Sequence, residues 1–299
     1  MKQIIEPRKP FNFELICKIV GNEFNGREVY ENALDGNRYH LVLDIDTQII
    51  PIIISSNNSI ENPILQVDFL IQISEDTKRS CIKTIEDMFD IKLDLNGFYN
   101  SIDNDPILYN VINRLYGLRS PSTPTLFEAF IRAFVEQQLP LKISNKIINR
   151  IIKNIGRHIE IDAIKYYSFP TIEQLARVDE SLLRNCGLSR RKIDYIKNFS
   201  NKVLTGEINL DELLKLDDTN LLDKLLEIKG IGRWTAEYVM IRGMHRYSVT
   251  PADDLFLRKV ISHYYFNDAK ITGDKVREVC NRWGEWKGLA SFYLLMDYI

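Results

Sequence analysis

Leu225-Leu226-Glu227-Ile228-Lys229-Gly230-Ile231-Gly232-Arg233-Trp234-Thr235-Ala236 is the stretch whose reading decides the fold. Its first residues read as the end of one helix, Gly-Ile-Gly as a tight turn, and Arg233 onward as the start of a second helix. Gly230 and Gly232 predict conformations that a Cβ would penalise, and they let another backbone come close. The helix that begins after the turn points unpaired N–H groups outward, ready for a phosphate. Lys229 and Arg233 flank the turn with positive charge. Twenty residues after Trp234 stands Asp254, inside Thr250-Pro-Ala-Asp-Asp-Leu-Phe-Leu-Arg-Lys259.

The rest of the chain supports a DNA-facing reading only after its charge is divided. The 299 residues carry 39 Lys+Arg and 41 Asp+Glu, a net charge of −2. Residues 1–120 hold 12 basic and 18 acidic side chains, giving −6, so the remaining 179 residues carry +4. A phosphate responds to local potential rather than to net charge. The four cysteines, Cys17, Cys81, Cys186 and Cys280, are scattered with no Cys-x-x-Cys pair, which argues for buried reduced thiols over zinc or an iron–sulfur cluster. No run approaches the length of a membrane span, and the N-terminus lacks a signal-peptide core, so a cytoplasmic protein is expected, nucleoid-associated in a prokaryote.

The predicted class is α+β, with two domains. Over 1–120 the pattern is mixed α/β, with strands at 39–45, 48–54 and 64–70 and a helix at 75–90. Leu118-Arg-Ser-Pro-Ser-Thr-Pro124 marks the boundary. Over 121–299 nearly everything reads helical. Thr125 with Glu128 forms a capping box for a helix over 126–138. Further helices are expected at 142–155, 171–178, 180–186, 190–205, 211–215, 254–266, 272–283 and 289–298.

Each motif has a bland alternative. A Gly-Ile-Gly hairpin also serves as a nonspecific DNA grip in polymerases, ligases and nucleases. Asp254 suits a helix N-cap, as does Asp253. The two roles are compatible for Asp254, since a carboxylate at a helix start is rigidly held. Trp234 and Tyr238 lie four apart on one helical face and suit either core packing or a base pocket.

A phosphate-gripping hairpin followed at this distance by a carboxylate resembles the helix-hairpin-helix DNA glycosylase superfamily. Asp254-Leu-Phe-Leu-Arg258 fits its pattern, with Asp253 out of register by one. Other segments are similar to the branch of bacterial 3-methyladenine DNA glycosylase II. They are Phe127–Leu139, Phe169-Pro-Thr-Ile-Glu-Gln-Leu-Ala176, Cys186-Gly-Leu-Ser-x-Arg191-Lys192 and Trp283-Gly-Glu-Trp286-Lys287. The resemblance covers residues 121–299. It implies an all-α helix-hairpin-helix glycosylase region after an N-terminal half-saddle (TBP-like) domain.

The resemblance also implies roles. Asp254 is the expected catalytic carboxylate, and Trp234 and Tyr238 the expected walls of the base pocket. Gly230, Gly232, Arg233 and Lys229 are expected to hold the DNA backbone. Gln138 or Leu139 is expected to enter the duplex; the best-known branch has an apolar residue aligned with Gln138. Members that also cleave the backbone carry lysine where Trp234 stands, so a monofunctional N-glycosylase is implied, with no AP-lyase activity. A monovalent Na+ or K+ would bridge a phosphate and carbonyls within 226–231, among them Leu226, Ile228 and Ile231; no other cofactor is implied. The expected partner is double-stranded DNA containing damaged bases, met by a monomer. The competing readings are an oxidised-purine (8-oxoguanine type) glycosylase, which predicts lysine at 234, and a noncatalytic helix-hairpin-helix DNA-binding module.

Overall fold

The computed structural model describes residues 2–19, 38–102 and 104–299. The N-terminal part runs β1 (Lys2–Ile5), α1 (Phe13–Ile19), β2 (Arg38–Ile45), β3 (Gln48–Ser56), β4 (Leu65–Phe69), α2 (Glu75–Met88), α3 (Leu95–Ser101) and α4 (Pro106–Arg114). The strands form an antiparallel sheet of order β1-β4-β3-β2. Asp46 and Thr47 join β2 to β3 with φ of 50° and 65°, a two-residue turn whose twist matches the strands. Strand residues alternate: Leu41, Leu43, Ile52, Ile54, Leu65 and Val67 are buried, and α2 packs against β2. The three strands and the helix expected here are present, and β1, α1, α3 and α4 are additional. Their runs of four to nine residues are too short for periodicity to separate from loop.

The remaining elements are α5 (Leu126–Glu136), α6 (Leu141–Ile155), β5 (His158–Ile161), β6 (Ile164–Tyr167), α7 (Ile172–Arg177), α8 (Glu180–Asn185), α9 (Arg190–Leu204), α10 (Leu210–Lys215), α11 (Asp218–Leu226), α12 (Arg233–Met244), α13 (Leu255–Phe266), α14 (Gly273–Asn281) and α15 (Lys287–Tyr298). At the centre α5 and α12 pack on each other. Every residue of α5 from Phe127 to Glu136 is buried, and α12 is enclosed on most sides. Accordingly α12 shows no clean polar face, whereas α5 gathers Glu128, Arg132 and Glu136, four apart, into one buried polar stripe. Phe127, Phe130 and Phe134 gather around Phe199 of α9 with ring centroids 4.5–6.0 Å apart. Burying each such ring stabilises the fold by about 1.5–3 kcal/mol.

Two sequence expectations are corrected here. The second region is not all-α: residues 158–167, between two expected helices, form a β-hairpin; Asp162 and Ala163 make the same left-handed two-residue turn, and Arg157 ties it to Asp44 of the N-terminal sheet. Thr125 accepts the Glu128 N–H at 3.1 Å, but Glu128 does not complete the box, because its carboxylate is spent on buried Arg132 at 2.9 Å. A full capping box stands instead at α7, between Thr171 and Gln174. The 118–124 segment, read as a boundary, is tied into the fold at its start, where residues 118–121 are buried. Arg119 is fully buried and donates to the carbonyls of Arg8, Asp90 and Pro10.

The helices before that segment join those at the far end of the chain. Asp105, at the start of α4, accepts from Tyr265 at 2.9 Å and from the Trp283 indole at 3.1 Å. Tyr99 meets Tyr293 at 3.0 Å, and Arg114 pairs with Asp297. The α13–α15 layer, which carries Asp254 at its leading edge, is thus braced from both ends of the sequence.

Candidate active site

The hairpin forms because α11 runs out at Leu226 and two apolar residues then anchor the turn. Ile228 and Ile231 are buried, and the Ile231 N–H closes the turn on the Ile228 carbonyl at 3.0 Å. Gly230 has φ of +90°, and a Cβ there would lie 2.5–2.7 Å from the Tyr195 ring. Both the conformation and the close approach require glycine. Gly232 differs from the expectation. Its φ is −96°, which any residue adopts, and a Cβ there would meet nothing within 4 Å. Its value is the open space in front of α12, whose N-terminus has no side-chain cap. The first N–H groups of a helix so exposed can accept an anion.

Lys229 and Arg233 lie on either side of the turn, and both are shared with carboxylates. Lys229 pairs with Asp194 at 2.8 Å. Arg233 donates to Glu237 at 3.0 Å, Glu237 accepts Arg277 at 2.9 Å, and Arg277 reaches Asp253 at 2.5 Å. Burial pushes the Glu237 carboxyl up, against the pull of Arg277 and Arg233. This network separates the two neighbouring aspartates: Asp253 is engaged by Arg277, and Asp254 turns to the hairpin.

Asp254 caps α13. Its Oδ1 accepts the N–H groups of Phe256 and Leu257 at 2.9 and 2.8 Å. Its Oδ2 accepts the Trp234 indole N–H at 2.9 Å. The twenty-residue interval read from the sequence therefore becomes a direct contact between the second residue of α12 and the cap of α13. Trp234 is half-buried, and its ring lies 5.4 Å from that of Tyr238 with 30° between planes. Burial, with the Glu136 carboxyl nearby, raises the Tyr238 phenol well above its usual value, and burial likewise raises Glu136 at the end of α5. The crevice that Tyr238 shares with Glu136, Arg132 and Arg242 holds about 30 Å³, room for one water and too little for a purine. Two roomier crevices, of about 350 and 310 Å³, contain neither Asp254 nor Trp234.

The loop after α5 comes to the same hairpin. Gln137 donates through its side-chain amide to the Gly230 carbonyl at 2.8 Å and to Thr235 Oγ1 at 3.0 Å. Gln138 follows with φ of +57° and stands exposed, whereas Leu139 is half-buried and packs on the core. Gln137, Glu136, Glu237 and Arg277 were missed in the sequence. Only the paired glutamines ahead of Pro140 offered a local signal.

Of the carbonyls expected to face a cation, that of Ile228 accepts the Ile231 N–H, and Leu226 ends α11. Among the described residues no cluster of His, Cys, Asp and Glu is arranged to hold a metal ion. All four cysteines are buried and unpaired. No helix of the described residues is long and apolar enough to cross a membrane.

Residues 131–285 match the model of the HhH-GPD superfamily of base excision DNA repair proteins. A DNA-3-methyladenine glycosylase of Bacillus subtilis is 31% identical over 217 residues, covering 73% of this chain and 72% of that protein. The solved 3-methyladenine DNA glycosylase of Archaeoglobus fulgidus superposes with a TM-score of 0.84 at 27% identity, covering 98% of this chain and 97% of that one. The 8-oxoguanine glycosylase/lyase of Clostridium acetobutylicum shares the fold, with a TM-score of 0.72 at 19% identity over 99% of this chain and 95% of that one.

Proposed function

The chain belongs to the HhH-GPD superfamily of base excision DNA repair proteins, and from that premise we propose that it is a monofunctional DNA glycosylase that releases N-alkylated purines of the 3-methyladenine type from duplex DNA. The observation that carries this reading is the hydrogen bond from Trp234 to Asp254. It sets an aromatic face and a carboxylate side by side next to an open helix N-terminus.

The steps follow from those groups. The N–H groups at the start of α12, together with Gly230, Gly232, Lys229 and Arg233, hold the DNA backbone without reading sequence. Carbonyls at the end of α11 and in the turn, those of Leu226, Ile228 and Ile231, have the hard-oxygen chemistry to hold a Na+ or K+ ion, which would add positive charge at the phosphate. Gln138, exposed at the tip of its loop, enters the duplex where the damaged nucleotide leaves it. Extrusion costs a few kcal/mol.

The extruded base lies on the exposed side of Trp234 and Tyr238. An aromatic face favours a cationic purine by roughly 0.5–2 kcal/mol. The positive charge on such a base weakens its bond to the sugar. As that bond breaks, the electron pair leaves with the base and positive charge develops on the sugar. Asp254 stabilises that charge and orients the water that adds to C1′, whose proton passes to solvent. Position 234 holds no amine, so no Schiff base forms there and the backbone stays intact.

The antiparallel sheet backed by α2 supports reading residues 1–120 as the half-saddle unit and 121–299 as the glycosylase region. The protein acts as a monomer in this reading. Methylated duplex DNA incubated with the protein and assayed for free bases tests it. Release of 3-methyladenine is expected. No release from methylated DNA, with release from an 8-oxoguanine duplex, would overturn it in favour of the oxidised-purine reading.

A further inference from the structure

Among the buried cations that the proposed reaction leaves unused, Lys192 is the one that grips the loop after α5. Lys192 lies on α9, is 7% exposed, and belongs to neither the hairpin nor the aromatic pair. Its Nζ donates to the carbonyl of Val135 at 2.6 Å and to that of Gln137 at 2.7 Å. These are carbonyls at the C-terminal end of α5, where a helix has no partners of its own and carries the negative end of its dipole. Desolvation, with Arg191 adding to it and Glu136 opposing, draws the Lys192 amine down to about 8.

Gln137 is consequently held at both ends. Its carbonyl is gripped by Lys192, and its side-chain amide by Gly230 and Thr235 of the hairpin. The Leu139 N–H closes the turn on the Glu136 carbonyl at 3.1 Å. Between these fixed points Gln138 has a left-handed backbone and an exposed side chain, touched by Arg191 at 3.4 Å. A loop whose neighbours are pinned in this way is ordered before it meets DNA. A free loop would lose that entropy at every insertion.

We propose that Lys192 and Gln137 are positioning residues for base extrusion: they lock the tip of the 137–139 loop at a set distance from the hairpin that holds the DNA backbone. This rests on the reading that the loop enters the duplex. Lys192 touches neither substrate nor reacting atoms in this scheme. It acts through the backbone of Gln137.

The experiment uses single-turnover base release from an oligonucleotide carrying one N-methylated purine, presented either paired or opposite an abasic site. Without a partner base, extrusion is less demanding. Lys192→Met is expected to slow release from the paired context by roughly tenfold to 100-fold, as small misplacements do, with much less effect opposite the abasic site. Gln137→Met, which leaves the buried amine in place, is expected to follow the same pattern and serves if Lys192→Met fails to fold. Equal loss in both contexts, or no loss in either, for both variants would overturn the positioning role. Gln138→Ala separates the two layers. If it leaves the ratio of the two contexts unchanged, the loop does not enter the duplex and the underlying reading fails. If it lowers the ratio while Lys192→Met and Gln137→Met do not, only the positioning role fails.

Discussion

Replacing Asp254 with asparagine removes one charge and one acceptor atom while keeping the shape. The carboxylate now serves three donors: two backbone N–H groups on Oδ1 and the Trp234 indole on Oδ2. Asparagine caps helices as well as aspartate, so its oxygen keeps the two N–H groups of α13. Its NH2 then faces the indole N–H, donor against donor. One charge-assisted hydrogen bond is lost, worth about 1.5–3 kcal/mol at most, and a chain of this size should melt a few degrees lower. The rate effect is separate. Losing a preorganised electrostatic partner of the developing sugar cation costs about 100-fold or more, near 2.7 kcal/mol. Binding to abasic-site DNA, where no such charge develops, should stay within roughly a factor of two. Single-turnover base release, anisotropy titration with abasic duplex and a melting curve measure the three quantities. Asp254→Ala should add about 1 kcal/mol of instability from the lost cap without slowing release much further. Full activity of the asparagine variant removes Asp254 from the chemistry. A fall in abasic-site binding that matches the fall in rate would mean that the carboxylate shapes the site rather than acts in it. Asp253→Asn, which disturbs only the contact with Arg277, should cost far less; equal loss would place the chemistry one residue earlier.

Trp234→Phe keeps a ring and deletes the indole N–H, so release should drop by roughly tenfold through Asp254, while Trp234→Ala should in addition disfavour cationic lesions relative to neutral ones; an unchanged lesion ratio with a large fall in melting temperature would make Trp234 a core residue. Gly230→Ala should destabilise by about 2–5 kcal/mol, from the left-handed backbone and the collision with Tyr195, visible as a lower urea midpoint. Gly232→Ala should leave stability within about 0.5 kcal/mol yet weaken binding to damaged and undamaged DNA alike, and equal urea midpoints for the two variants would refute this contrast. Borohydride with damaged DNA should trap no covalent adduct, and a stable crosslinked band would point to a lysine elsewhere. Because the Lys192 amine falls from 10.5 to about 8 on folding, the unfolded chain binds the extra proton between those values, so wild-type stability should rise relative to Lys192→Met as pH climbs through that window, by about 3 kcal/mol at most; a flat difference between pH 8 and 10.5 would show that the amine is not desolvated.

What the sequence determined is local. The hairpin was legible because a helix stop, two glycines and a helix start fall within one run from Leu225 to Ala236, and Asp254 because a helix cap announces itself beside its own helix. Most helices of the second half were likewise visible from caps and periodicity, each being a matter of neighbours three or four apart. The tertiary structure decided everything that joins distant segments. It gave Trp234 a hydrogen-bonding duty to Asp254 and diverted Asp253 to Arg277. It also engaged Gln137 with Gly230 and turned Lys192 onto the end of α5. It reassigned Gly232 from a backbone necessity to an open doorway, and found strands at 158–167 where four-residue runs were too short to read. These partners lie between 20 and 93 positions apart. No periodicity links them, and only the packing of α5, α9, α12, α13 and α14 around one buried core brings their polar atoms within reach.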